Sequence, residues 1–153
     1  MKKYVLFIAV FIATAVFAQD VDSFFELLRS DLKTGKKEII TMVMDFTDSE
    51  ASAFWPIYRE YEFGLDELGD ARLTLTKNYA ENYENMTDEK ATELINDAIK
   101  FQQDRLKLRK KYFKKFSKAL SPIQAAKWIQ LENQIHLLID LQIASEMPLV
   151  EKP

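Results

Sequence analysis

The chain has 153 residues, a net charge of −3 at pH 7 and no cysteine. Its length fits one domain, its acidic balance argues against general nucleic-acid binding, and without cysteine it can be neither disulfide-bonded nor an acylated lipoprotein. Three glycines and four prolines supply too few turns for an all-β protein, so we predict an all-α fold.

Residues 1–18 have the pattern of a signal peptide. Lys2 and Lys3 precede a long apolar run that ends at Ala18, a small residue suited to signal peptidase. A retained transmembrane anchor is the alternative, but the run is short for a bilayer span of ~20 residues. We therefore predict export to the periplasm and a single helical domain over 19–153.

The first helix of the mature chain is predicted over roughly 21–44, with a break near Gly35 as one alternative. Within it the stretch EIITMVM, residues 38–44, fits either a helix or a strand. We choose a helix because no partner strand is apparent elsewhere in the chain.

Three similar sequence segments follow: FTDSEASAF from Phe46, MTDEKATEL from Met86 and LSPIQAAKW from Leu120. Each places a hydroxyl side chain where it can accept a free backbone N–H group of a first helical turn. The predicted N-caps are Thr47, Thr87 and Ser121. Glu50 and Gln124 lie three residues after their caps and are expected to complete capping boxes. In the middle segment Lys90 occupies the corresponding position.

These signals predict three long helices over roughly 48–84, 88–119 and 122–146. The first would be about 54 Å long, so the molecule should be an elongated antiparallel hairpin or bundle of about four helices. Pro56 lies inside the first long helix, where it removes a backbone hydrogen bond, so a bend and a curved molecule are expected. The final residues, MPLVEKP, are predicted to form an extended tail.

Apolar residues recur at helical spacing on the first and the last long helix. The predicted stripe on the first is Phe54, Tyr58, Tyr61, Leu65, Leu68, Leu75 and Tyr79. The predicted stripe on the last is Trp128, Leu131, Ile135 and Leu138.

The helix over 88–119 carries two apolar stripes, which is more than a single hairpin needs. One consists of Leu94, Ala98, Phe101, Leu108 and Tyr112. The other consists of Ile95, Ile99, Leu106, Phe113, Phe116 and Leu120. The second stripe could be buried in the core, form a homodimer interface or form a surface that binds other proteins. Together with the lack of disulfides it leads us to expect a homodimer.

A lysine line from Lys100 to Lys118 and the segment RLKLRKKYFKKF, residues 105–116, form a basic and aromatic surface. We predict that it binds unfolded or partner proteins, because lysines attract acidic chains at long range and aromatic rings add apolar contacts. The predicted binding residues are Lys107, Lys110, Lys111, Tyr112, Phe113, Lys114, Lys115 and Phe116. Binding to phosphates or an anionic membrane surface is less favoured. The alternative is a solvated face neutralised by acids such as Glu81, Glu84 and Glu89.

Catalysis has little support, since the chain has one histidine, no cysteine and no glycine-rich phosphate loop. His136 shares a helix face with Glu132 and Asp140, which is the spacing of half a metal site. The preferred interpretation is a solvated histidine with i,i+4 pairing. We predict no enzyme activity, no metal and no cofactor.

The segment LSPIQ, with Ser121 and Gln124, resembles the LTxxQ signature of the Spy/CpxP-like family of exported helical proteins. FTDSEASAFWPIYREYE is similar to the same motif, with Glu50 at the glutamine position. The resemblance covers roughly residues 40–145 and implies a periplasmic four-helix protein, often a thin curved antiparallel dimer. The chain lacks the His-rich and Met-rich groups of the metal-sensing branch, and its net charge is acidic, unlike the chaperones.

This resemblance implies an ATP-independent chaperone or an envelope-stress factor. The alternative is a regulatory protein that binds a membrane sensor and has no general chaperone activity.

Overall fold

The computed structural model describes residue 21 and residues 35–150 of the chain. This part contains four helices and no strand: α1 over 35–44, α2 at Asp48–Asn82, α3 at Asp88–Ala119 and α4 at Pro122–Glu146. A short 3-10 turn at Tyr83–Asn85 follows α2. The all-α prediction is confirmed, and 38–44 is helical as expected. The predicted leader and residues 22–34 lie outside the described residues.

The three predicted N-caps are confirmed. The hydroxyl oxygens of Thr47, Thr87 and Ser121 each accept the backbone N–H group three residues later. At the first helix the capping box is complete, because Glu50 Oε2 also accepts the Thr47 N–H at 2.9 Å. At the last helix the box is not formed. Gln124 Nε2 instead donates to Glu50 Oε1 at 3.3 Å, so the two motif copies meet.

Helices α2 and α4 run parallel to each other. Glu50 meets Gln124 near their N-terminal ends, and Arg72 Nη1 donates to Asp140 Oδ1 at 2.6 Å further along. The Tyr79 hydroxyl then donates to the Pro148 carbonyl at 2.7 Å, beyond the end of α4. At 35 residues, α2 is about 52 Å long, and α4 with its tail follows it for most of that length.

Helix α3 runs antiparallel to α2. The Tyr112 hydroxyl donates to the Glu60 carbonyl at 3.1 Å, whereas the Arg72 guanidinium lies 5.6 Å from the Phe101 ring centre. Gly64 lets the two helices approach closely between these points, because a Cβ atom there would lie only 2.6 Å from Leu108 Cδ1.

The core consists largely of aromatic rings. Phe54 stacks against Phe116 with centroids 4.7 Å apart, and Trp128 lies 4.2 Å from Phe116 and 5.0 Å from Tyr61. Ile40 and Met44 of α1 are fully buried among these residues. The apolar stripe predicted on α2 is confirmed, since all of its members are buried or half-buried.

The stripe predicted on α4 is wrong at its last member, because Leu138 is 69% exposed. The buried side continues from Ile135 through Ile139 to Ile143 in steps of four residues. Four residues turn the helix by about 40° more than a full circle, so this line drifts away from Leu138.

Helix α2 continues through Pro56 without interruption. Pro56 and Ser52, whose carbonyl loses its helical partner, are both exposed. The bend expected at this point stays a prediction. In the part of the chain that the structure describes, no helix has the length and apolar character needed to cross a membrane.

Candidate binding surface on helix α3

The predicted binding residues of α3 divide between its two sides. Tyr112 and Phe116 lie in the core, at 4% and 0% exposure, and Phe116 packs between Phe54 and Trp128. They are therefore not available to a partner of the folded chain. This corrects the expectation that both rings contribute to the binding surface, and the reason is that α2 and α4 cover this side of α3.

Phe113 lies on the other side of the helix and is exposed. Leu106 and Ile99 precede it at intervals of seven residues and are exposed as well. Seven residues make about two helical turns, so the three side chains lie in one line, which we call the α3 outer row. Of the second predicted stripe, Phe116 and Leu120 belong to the core, and the rest forms this exposed line with Ile95.

Several lysines of α3 are neutralised within the chain. Asp104 accepts hydrogen bonds from Lys100 at 2.7 Å and Lys107 at 3.0 Å, and these bonds lower the pKa of its carboxyl. Lys115 pairs with Glu60 of α2, which raises the pKa of Lys115 and lowers that of Glu60. The neutralising acids that the structure shows are thus Asp104 and Glu60 rather than those expected from the sequence.

Other lysines keep their charge available. Lys111 lies over the Tyr112 ring, 5.3 Å from its centre. Lys110, Lys114 and Lys118 are exposed and make no ion pair with any residue in 35–150. Lys110 and Lys114 lie beside Phe113, so the C-terminal part of the α3 outer row combines apolar side chains with two unpaired cations.

An arginine cluster fixes α3 between its neighbours. Asp140 of α4 accepts hydrogen bonds from Arg72 of α2 and Arg105 of α3, and both guanidiniums lie 5.6 Å from the Phe101 ring centre. Burial alone would raise the pKa of Asp140, but the two arginines outweigh it and hold that pKa below its ordinary value. One turn along α3, Arg109 donates to Asn133 of α4.

The least expected feature is a buried carboxylate. Glu132 of α4 has 0% exposure, and its Oε1 accepts hydrogen bonds from Lys36 of α1 at 2.7 Å and the Tyr61 hydroxyl at 2.9 Å. Burial would raise the pKa of Glu132, yet Lys36 and His136 lower it to about 2. The carboxylate is therefore charged in the folded protein and ties α1 to α2 and α4.

His136 is not the solvated residue that the sequence suggested, because its side chain is only 13% exposed. Its Nε2 lies 3.0 Å from Glu132 Oε1, so the expected i,i+4 pairing with Glu132 is present. Asp140 instead accepts hydrogen bonds from Arg72 and Arg105. Among the described residues no group of three or more histidine, cysteine or acidic side chains is placed to hold a metal ion.

The sequence carried a signal for Glu132 that was missed. Glu132 follows Trp128 by four residues and lies between the core residues Leu131 and Ile135, which is a buried helix position. An acid at such a position requires a basic partner. Lys36, 96 residues earlier, could not be identified as that partner before the helices were placed.

Comparisons of this chain with protein-family models, with curated proteins and with solved structures gave no match.

Proposed function

We propose that the chain is an exported helical protein, similar to the Spy/CpxP-like family, that holds unfolded or partner proteins on the outer face of α3. The observation that carries this proposal is the α3 outer row, three large apolar side chains left in solvent beside the unpaired Lys110 and Lys114. Exposed apolar rows with a polar border are typical of protein-binding surfaces. The proposal includes no catalytic activity.

Two features of the folded chain support the resemblance. The motif copies that open α2 and α4 lie side by side through Gln124 and Glu50, although they are 74 residues apart in sequence. The helices between them are long and amphipathic. Export rests on residues 1–18 alone. A homodimer stays a prediction from the sequence, and it would have to leave the α3 outer row open to other proteins.

The test is suppression of aggregation of a heat-denatured client protein without ATP. We expect the mature chain to suppress light scattering at equimolar concentration. The double variant Leu106→Ser/Phe113→Ser should be about thirtyfold less effective, because it removes two apolar contacts worth about 1 kcal/mol each. Both residues are exposed, so the variant should keep its fold, which circular dichroism checks.

The matched control is Phe63→Ser/Leu138→Ser, which removes two exposed apolar side chains from other faces of α2 and α4. It should suppress aggregation as well as the unaltered chain. If neither the unaltered chain nor the control suppresses aggregation, general holding activity is rejected. In that case the protein would be a dedicated regulator with one specific partner, the alternative that the sequence left open.

A further inference from the structure

Helix α4 also leaves large apolar side chains in solvent. Leu137 and Leu141 are 66% and 68% exposed, and they follow each other by one helical turn. Neither contributes to the core. Their positions relative to α3 decide whether they belong to the surface described above.

The contacts between α3 and α4 fix the orientation of both helices. Asn133 and Asp140 mark the side of α4 that touches α3, through Arg109 and Arg105. At about 100° per residue, Leu137 lies about 40° beyond Asn133, on the side turned away from α2, and Leu141 lies about 40° further round.

The α3 outer row lies on the same face of the α3–α4 pair, the one turned away from α2. Leu106 lies about 60° beyond Arg109, also turned away from α2. Because α3 and α4 are antiparallel, their angles advance in opposite senses, and the two rows converge on the outer face of the pair. We call this surface the α3–α4 groove; it consists of Ile99, Leu106, Phe113, Leu137 and Leu141.

The two rims of the groove differ in charge. On the α3 rim Lys110 and Lys114 have no ion-pair partner among residues 35–150. On the α4 rim the exposed side chains beside Leu137 and Leu141 are the neutral amides Gln130 and Gln134; the exposed Lys127, about one turn before Gln130, donates to the Met44 carbonyl at 3.4 Å. Neither rim presents an acid beside these residues, since the nearby Asp104 is already paired with Lys100 and Lys107.

We infer that the α3–α4 groove binds an amphipathic helix of a partner protein, apolar on one face and acidic along the edge that lies next to α3. A two-helix groove with apolar walls is a common receptor for such a helix, and the two unpaired lysines of the α3 rim select the acidic edge. The inference rests on the proposed function and names the class of partner for it.

A membrane surface fits the groove less well. A helix pair lying on an anionic bilayer would be expected to carry lysines along both borders of its apolar surface, so that both reach headgroups. Here the α4 border has amides beside Leu137 and Leu141, and its lysine, Lys127, is bound to the Met44 carbonyl. The asymmetry is what a single helix with one acidic edge would complement.

The probe is a stapled helical peptide of about 18 residues, with leucines on one face and glutamates along one edge. Its binding to the full mature chain is measured by fluorescence anisotropy. Two matched peptides serve as references: one with the same composition in scrambled order, and one with lysine at each glutamate position. We expect the acid-edged peptide to bind at least about tenfold tighter than either, and more weakly as salt is added.

Substitutions on α4 separate the groove from the α3 surface alone. Leu137→Ser/Leu141→Ser should weaken peptide binding by at least about fivefold. Leu138→Ser is the control, because Leu138 is 69% exposed on the same helix but lies about 100° round from Leu137. It should leave the affinity unchanged. Lys110→Glu/Lys114→Glu should reverse the preference in favour of the lysine-edged peptide.

Three results would overturn the inference. The first is equal peptide affinity for the unaltered chain and Leu137→Ser/Leu141→Ser. The second is binding to phosphatidylglycerol vesicles without binding to the acid-edged peptide. The third is failure to bind the peptide together with loss of self-association in the Leu137→Ser/Leu141→Ser variant, which would assign the groove to a second copy of the chain. Client aggregation with Leu106→Ser/Phe113→Ser tests the proposed function separately, so either proposal can fail alone.

Discussion

At the scale of single residues, the pairing of Lys36 with Glu132 is the most consequential contact. Both side chains are buried, and the Glu132 carboxylate also accepts from Tyr61. Lys36→Met would leave a buried carboxylate without its cation, and we expect a loss of about 3–5 kcal/mol in the free energy of unfolding. Urea unfolding of the two proteins measures this difference.

A second substitution separates the unpaired charge from a general packing defect. Gln at position 132 can keep its amide oxygen near Tyr61 and is neutral, so the double variant Lys36→Met/Glu132→Gln should recover part of the lost stability. If the double variant is as unstable as the sum of the two single variants, the two residues are not coupled and the assignment of a buried ion pair is wrong.

The same carboxylate predicts a dependence on pH. Its pKa is lowered from 4.5 to about 2 on folding, so its stabilising contribution is complete above about pH 4.5 and disappears as the pH falls towards 2. The chain should therefore lose more stability between pH 5 and pH 2.5 than Glu132→Gln does, by an amount on the order of 2 kcal/mol. Urea unfolding at both pH values gives the comparison, and equal losses in the two proteins would contradict it.

At the scale of helices, the register of α4 decides which apolar residues stabilise the fold. Ile143 is 97% buried, whereas Leu138 is exposed although the sequence placed it in the core stripe. We expect Ile143→Ala to cost about 2–5 kcal/mol and Leu138→Ala less than about 0.5 kcal/mol. Thermal denaturation distinguishes them, and a larger shift in Tm for Leu138→Ala would show that the register is wrong.

The same helices show how far the sequence could be interpreted. Thr47, Thr87 and Ser121 placed three helix starts correctly, because capping is a local interaction that sequence spacing encodes. The partners of Gln124 and Glu132 depend on distant helices and could not be derived from spacing.

Which side chains of α3 are buried could be predicted from the sequence only in part. Periodicity identified two apolar stripes, but whether Phe113 or Phe116 faces solvent depends on where α4 packs. Two of the eight residues predicted to bind partners, Tyr112 and Phe116, therefore lie in the core, and partner binding by the other six stays a proposal.

At the scale of the molecule, the described helices leave an extended face open. α1 and Glu132 close the aromatic core at one end, the arginine cluster joins α2, α3 and α4 in the middle, and the tail attaches to Tyr79 beyond it. The outer side of α3 has no covering helix within the described residues, and its apolar row is therefore the surface on which the proposed function depends.

The most direct measurement of this claim is site-specific photo-cross-linking to an unfolding client. A photoreactive phenylalanine derivative at position 113 should cross-link to the client during heating. The same derivative at position 63 of α2 should give little product, although Phe63 is 69% exposed and Phe113 only 37%. Equal cross-linking at the two positions, or none at position 113 when aggregation is suppressed, would contradict binding on the outer face of α3.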